Sequence, residues 1–336
     1  MGQAIAAGQG LLPDRHPTAD FFLCDILGAL PKDDLASMEH PMFSLSTRPD
    51  RRILRYDHNG VAITVTPSVK GLATIFDKDI LIYCISQLMA ALNAGRPVAR
   101  VLHLKAHDLL VATNRETSGD GYTRLREAFE RLSGTRITTN VVTGGEEVTT
   151  GFGMIETWQI RRRSKGGRMI SVTVQLSEWL FRAVLAKSVL TLSRQYFRLR
   201  KPLERRVYEL ARKHCGHQPE WRVSLEVLLK KSGSASPRRV FRKMIRDMIV
   251  ADTLPDYTLS EEPGDIFRVC PRAVVIEPGT VPLLAEATLD RARTRAAGWD
   301  VHALVAEWQG FWLRSGRRRL RNPDRAFLGW LEKRLG

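Results

Sequence analysis

"ASPRRVFRKMIRDMIVAD", residues 235–252, sets five basic residues against one acid between Arg238 and Asp247. Its apolar residues nevertheless recur at helical spacing. On a helix turning about 100° per residue, Val240, Phe241, Met244, Ile245 and Met248 share roughly 140° of arc. Arg239, Arg242, Lys243 and Arg246 share roughly 100° on the other side, with Arg238 at the N-terminal end. Ser236 reads as the N-cap and Pro237 as the first helical residue. The apolar stripe needs partners to pack on, which leaves the basic stripe outside. Solvated helix faces usually mix signs, and this one does not, which favours an anionic polymer as its partner. An α-helix fits the major groove of B-DNA, where Arg pairs with guanine through two hydrogen bonds.

The neighbouring segments supply the packing partners. "KPLERRVYELARKHCG" (201–216) reads as a helix with Pro202 in its first turn and Gly216 past its end. "RVSLEVLLKKSG" (222–233) reads as a second helix, and the quoted stretch is the third. "YTLSEEPGDIFRVCP" (257–271) then gives two short strands around a Pro-Gly turn, the expected phosphate-touching hairpin. The same order occurs earlier. "DKDILIYCISQLMAALNAG" (77–95) is a helix capped by Asp77 or Asp79, and "VLHLKAHDLLVATN" (101–114) a strand and a helix. "GDGYTRLREAFERLSG" (119–134) is a third helix, opened by Asp120. Strands follow at 135–143, 152–163 and 167–177, then a helix capped by Ser177. Ahead of all these, "PMFSLS" (41–46) and "RRILRYDHNGVAITVTPS" (51–68) read as strands, the latter a hairpin around Asn59-Gly60. Only the order of elements repeats; the residues do not.

The earlier third helix is a weaker case. Leu125, Ala128, Phe129 and Leu132 form its core side. Thr123, Arg124 and Arg126 point outward, but so do Glu127, Glu130 and Arg131, and the mixed signs suit a solvated face equally well. The hairpin tip adds Arg161, Arg162, Arg163, Lys165 and Arg168 beside glycines that permit close approach. Each phosphate neutralised there would release counterions. A basic edge also guards a strand against aggregation, so the tip alone does not decide.

Charge supports the duplex reading. The chain has 336 residues, a formal charge of +16 and 43% hydrophobic residues, enough for real cores. Between Thr191 and Val250, Lys and Arg number 16 against 5 Asp and Glu, so +11 of the +16 falls in less than a fifth of the chain. Several chemistries lack their residues. Cys24, Cys84, Cys215 and Cys270 are scattered without a CxxC spacing, which points to a reducing cytoplasm rather than to zinc or disulfides. "HLKAH" places His103 and His107 four apart but lacks the zinc-protease glutamate and a third ligand. "HCGH" (214–217) sits at a helix end. No P-loop appears, and no apolar run is long enough to span a membrane. The expectation is a protein without cofactor, metal or catalytic residues.

"VTVQLSEWLFRAVLAKSVLTLSRQYFRLRKPLERRVYELARKHCG" (172–216) resembles the junction between the two domains of RepA-like plasmid replication initiator proteins. The pattern is "LSxWLxRA" followed by "VLTLxxxYFxLRKPLERRxYELARKHCG", and residues 20–272 fit that family in element order. The resemblance implies an α+β protein with two tandem winged-helix domains followed by a small C-terminal helical segment. The expected divisions are a flexible leader 1–17, domains 18–190 and 191–272, a linker 273–282 and a helical tail 283–336. It further implies sequence-specific binding of double-stranded DNA at origin repeats, duplex opening and recruitment of host replication proteins. Dimers would repress the initiator's own gene, and the protein would work in the bacterial cytoplasm beside its plasmid. Arg198, Arg200 and Lys201 would lie along the DNA backbone between the domains. A winged-helix transcriptional repressor on an inverted repeat is the rival reading.

The tail has its own pattern. Val301, Leu304, Val305, Trp308 and Trp312 form a helical stripe. Asn322 and Pro323 open a last helix, "NPDRAFLGWL". Most of Trp308, Phe311 and Trp312 are expected in a local core. The basic run Arg317, Arg318, Arg319 and Arg321 offers a surface for single-stranded DNA or for a helicase or its loader.

Overall fold

The computed structural model describes residues 11–16, 31–58, 60–93, 95–143, 146–162, 169–186, 188–215, 218–272, 281–296, 299, 301–315, 320 and 322–335. The chain forms two compact units, Met1–Pro271 and Arg272–Gly336.

The first unit is built from mixed helices and small antiparallel sheets. It opens with β1 (Lys32–Asp34) and a short helix α1 (Leu35–Glu39). The hairpin at Asn59-Gly60 is present as β2 (Leu54–His58) and β3 (Val61–Thr66), with His58 opposite Val61. The segment 41–46, expected as a strand, is instead a turning stretch with one bridge, Ser44 to Thr74. At that bridge Ser44 N donates to Ala73 O at 2.9 Å and Ser44 O accepts from Ile75 N at 3.0 Å, while the Ser44 hydroxyl donates to Asp50 Oδ2 at 2.7 Å.

Helix α2 (Lys78–Asn93) is followed by β4 (Val101–Lys105), α3 (Ala106–Ala112) and α4 (Gly119–Gly134). Ser118, not Asp120, caps α4; its Oγ accepts from Gly121 N. Then come β5 (Arg136–Thr143) and β6 (Glu146–Phe152), which extend the hairpin into a four-stranded sheet in the order β2-β3-β5-β6. β6 was hidden because Gly144 and Gly145 precede it and Gly151 falls within it, and glycine normally signals a turn. The strand expected from 152 therefore starts later, as β7 (Ile155–Arg162), and pairs with β8 (Met169–Leu176). The helix α5 (Glu178–Leu185) is capped by Ser177 as expected, and β9 (Val189–Thr191) returns to pair with β1.

The remaining elements are α6 (Pro202–Cys215), β10 (Trp221–Ser224), α7 (Leu225–Ser232), α8 (Arg238–Ala251), β11 (Tyr257–Glu262) and β12 (Ile266–Pro271). The stretch 222–233 is not all helix. Its first residues form β10 on β12, and Ser224 then caps α7 by accepting from Val227 N. Pro237, not Ser236, holds the cap position of α8, its carbonyl accepting from Phe241 N at 2.9 Å. Gly233 ends α7 with φ +69°, and a Cβ there would lie 2.6 Å from Pro41 Cβ, so only glycine fits.

One order thus occurs twice: helix, strand, helix, helix, strand, strand. The sheets are β4-β8-β7 and β10-β12-β11, so the first strand pairs with the last in both. The first copy carries β5 and β6 as an insertion after its third helix. A single hydrophobic core runs through both copies, from Ile80 and Phe129 to Tyr208, Phe241 and Phe267. The expected division at 190/191 does not interrupt it.

A buried charge network joins the two copies. Lys78, at the start of α2, lies 2.6 Å from Asp33 of β1 and 3.1 Å from Glu209 of α6. Tyr196 donates to the same Glu209 at 2.6 Å. Arg206 reaches Glu209 at 3.1 Å and spends its other donors on the carbonyls of Ser37, Met38, Glu39 and Lys231. Arg205 bonds Asp79 at 2.6 Å and stacks on Phe76 at 4.4 Å. Burial works against the charge on Lys78, but Asp33 and Glu209 hold its pKa above the ordinary lysine value.

The second unit is three helices, α9 (Glu286–Arg295), α10 (Val301–Arg314) and α11 (Pro323–Leu335), around Ala292, Leu304, Trp308, Phe327 and Leu331. Asn322 caps α11 as expected, accepting from Arg325 N at 2.9 Å. Trp308 is buried, but Phe311 is exposed and Trp312 half-buried, because the stripe is narrower than the spacing suggested. Arg317, Arg318, Arg319 and Arg321 lie outside the described residues.

Two stability outcomes follow. Lys78→Met strands Asp33 and leaves Glu209 to Arg206 and Tyr196 alone, and urea melts should show a loss of about 3–5 kcal/mol. Burial holds His40 down at about 4, against an ordinary value of 6.5. A group with a depressed histidine pKa binds its proton first in the unfolded chain, so stability should fall as pH drops from about 6.5 toward 4. In His40→Gln that slope should be shallower.

Candidate nucleic-acid interface

Helix α8 is seated by Phe241, Ile245 and Met248, all buried, with Met244 half-buried. It packs on α7 and β11. Val240 was expected in the core and is instead 47% exposed. The wheel gives the arc correctly, but α8 sits on its neighbours along the narrower Phe241–Ile245–Met248 line.

The basic face is present, yet it is not free of acids. Arg238 Nη2 donates to Asp265 Oδ2 at 2.8 Å, and Arg242 holds both oxygens of Asp265 at 3.1 and 2.5 Å. Arg246 forks onto Glu261 at 2.7 and 2.8 Å. Lys243 meets Asp247 at 2.8 Å. The expectation of a single-sign face is thus corrected: the acids come from β11 and the turn before β12. Asp265 is fixed there in the left-handed region, φ +59°, after Gly264, and its carbonyl accepts from Leu225 N at 2.8 Å. Hydrogen bonds from Arg242 and Arg238 hold the Asp265 carboxyl below the ordinary range, and Arg246 does the same for Glu261. The hairpin expected to touch phosphate carries Glu261, Glu262 and Asp265 at its tip. All these ion pairs are solvent-accessible, so each stabilises little and is open to exchange for another anion. Arg239 is exposed, and among the described residues no carboxylate pairs with it.

In the first copy, α4 buries Leu125, Ala128, Phe129 and Leu132 as expected. Thr123 is exposed and donates to Gly119 O at 3.2 Å. Arg124 pairs with Glu116, and Arg126 lies 3.7 Å from Glu130. Arg131 does not point outward: it forks onto Asp77 at 2.7 and 2.8 Å. Arg161 and Arg162 are exposed at the end of β7. Arg163, Lys165 and Arg168 lie outside the described residues.

At the junction Arg200 and Lys201 are exposed, Lys201 lying 3.6 Å from Glu204. Arg198 is engaged otherwise. Its Nε donates to Leu12 O at 2.8 Å, and Leu12 N donates to Arg198 O at 2.8 Å. Residues 11–16 of the expected loose leader are therefore fastened, with Arg15 N also bonding Asn114 Oδ1 at 2.8 Å. A cavity of about 570 Å³ beside this strap is lined partly by Arg115, Arg124 and Arg131, each already facing a carboxylate. No group of three metal-ligating side chains occurs among the described residues.

The ion-pair partners of the site that sequence reading missed are Asp265, Glu261 and Glu116. The acids of "SEEPGD" were visible, but their contact with a helix some twenty residues earlier was not.

The sequence model of the family "Replication initiator protein A" matches residues 32–259, both copies as far as β11. A "Putative replication protein" of Wigglesworthia glossinidia brevipalpis is 37% identical over 244 residues, 71% of this chain and 88% of the relative. In fold, the chain is similar to a crystal structure of domains 2 and 3 of RctB, with a TM-score of 0.52 and 14% identity over 70% of this chain and 96% of that one. On this match and this identity, the chain belongs to the replication initiator protein A family.

Proposed function

We propose that each copy of the repeated order is a winged-helix domain, and that the two together read repeated sites at a replication origin. The observation that carries this is α8: a helix seated by a buried apolar line, presenting five cations, four with solvent-accessible, exchangeable acid partners and Arg239 with none among the described residues. Phosphates would replace Asp265 and Glu261 on Arg238, Arg242 and Arg246. Arg161, Arg162, Arg200 and Lys201 would add backbone contacts, with Thr123, Arg124 and Arg126 on α4 reading the neighbouring groove. The shared core supports a fixed spacing between α4 and α8. The chain would act by binding alone, straining an adjacent stretch toward opening. Its second unit would meet single-stranded DNA or a helicase loader; exposed Trp299 beside Arg334, at 5.5 Å, supports a stacking surface. A second copy of the chain and the bacterial cytoplasm complete the setting proposed.

Two measurements test the reading. Footprinting on DNA flanking the gene should reveal repeated protected sites, and protection that random competitor DNA erases equally would contradict it. Asp265→Asn, a change the left-handed position tolerates, should free Arg238 and Arg242 for phosphate. Anisotropy titrations should then show tighter binding to any duplex. The plot of log K against log salt should steepen by roughly one to two units.

A further inference from the structure

On the reading of α8 as a base-reading helix, we propose that its sequence choice rests on two adjacent residues, Arg239 and Val240, set against a guanine and a neighbouring thymine. The other cations of the helix have local partners: Arg238 and Arg242 share Asp265, Arg246 forks onto Glu261, and Lys243 faces Asp247. Arg239 alone on this helix is exposed and without a carboxylate among the described residues. Its guanidinium is thus free to present two parallel donors, and guanine N7 and O6 are the acceptors that match them.

Val240 carries the second half. It is 47% exposed on a helix whose other outward residues near it are charged, and the core is filled without it by Phe241, Ile245 and Met248. A valine has nothing to offer a phosphate. The apolar group that the major groove presents is the thymine 5-methyl, and an aliphatic side chain is its natural contact. Both residues lie in the first turn of α8, the part of a recognition helix that meets base edges. The Lys243–Asp247 pair, one turn on, is locally neutral and would leave the choice to the first turn.

The test uses the full chain and a pool of randomised duplexes, from which the best-bound site is selected. In that site each thymine is replaced singly by uracil, which removes only the methyl, and each guanine by 7-deazaguanine, which removes only N7. For the unaltered protein, one guanine replacement should weaken binding about fivefold or more, and one uracil in the adjacent base pair about fourfold. Arg239→Ala should erase the first effect, and Val240→Ala the second, while both variants melt as the unaltered protein does. Three results overturn the assignment. Uracil could be tolerated at every thymine, or its effect could persist in Val240→Ala. Arg239→Ala could weaken a scrambled duplex as much as the selected one, which makes Arg239 a phosphate contact. A pool that yields no preferred sequence removes base reading itself, and with it the proposed function; a preferred sequence without these two effects removes the inference alone.

Discussion

Lys78 is the constraint on which the arrangement rests. It is an ammonium group with no exposure, held between Asp33 and Glu209 from two other elements. A charge so placed is tolerated only while its partners stay within hydrogen-bond distance. Those partners come from β1 and α6, so α2 of the first copy is tied to α6 of the second. Arg205 and Arg206 make the same kind of link, the first to Asp79 and the second to the carbonyls at the end of α1. An apolar seam of similar area would also bind the copies together. Charges that must each find a specific partner select one relative placement over neighbouring ones.

On the proposed function, the shared core is what would give the outward cations meaning. Surface arginines on independent domains would bind DNA and read little. Two helices fixed on one core can require two sets of base contacts at one spacing. The acids of the β11–β12 hairpin add a second restraint. They occupy Arg238, Arg242 and Arg246, so on the proposed function a duplex would exchange one anion for another. Such exchange would lower the gain from any phosphate and leave discrimination to groups that bind bases.

Much of this was legible in the sequence. The stripe of Phe241, Ile245 and Met248 fixed α8 on helical spacing alone, and the same reasoning placed Leu125, Phe129 and Leu132 on the buried side of α4. Asn59-Gly60 marked its hairpin. What escaped has a common cause, contact between distant segments. β1 and β9 are three residues each, too short to show a period, and exist because each pairs the other. Arg205, Arg206 and Glu209 have the composition of a surface helix and are buried where α1 and α2 supply partners. Asp265 neutralises Arg242 from 23 residues away. Val240 fell on the apolar arc of the wheel, but α8 is seated along Phe241, Ile245 and Met248, which leaves Val240 47% exposed.

The central claim is that one rigid body sets α4 and α8 against the same face of one duplex. Protection of guanine N7 from methylation, on a single selected site bound by the full chain, tests it most directly. Two clusters of protected guanines one helical turn apart, about 10.5 base pairs, are the predicted result. A single cluster, or two clusters on opposite faces of the helix, would contradict it.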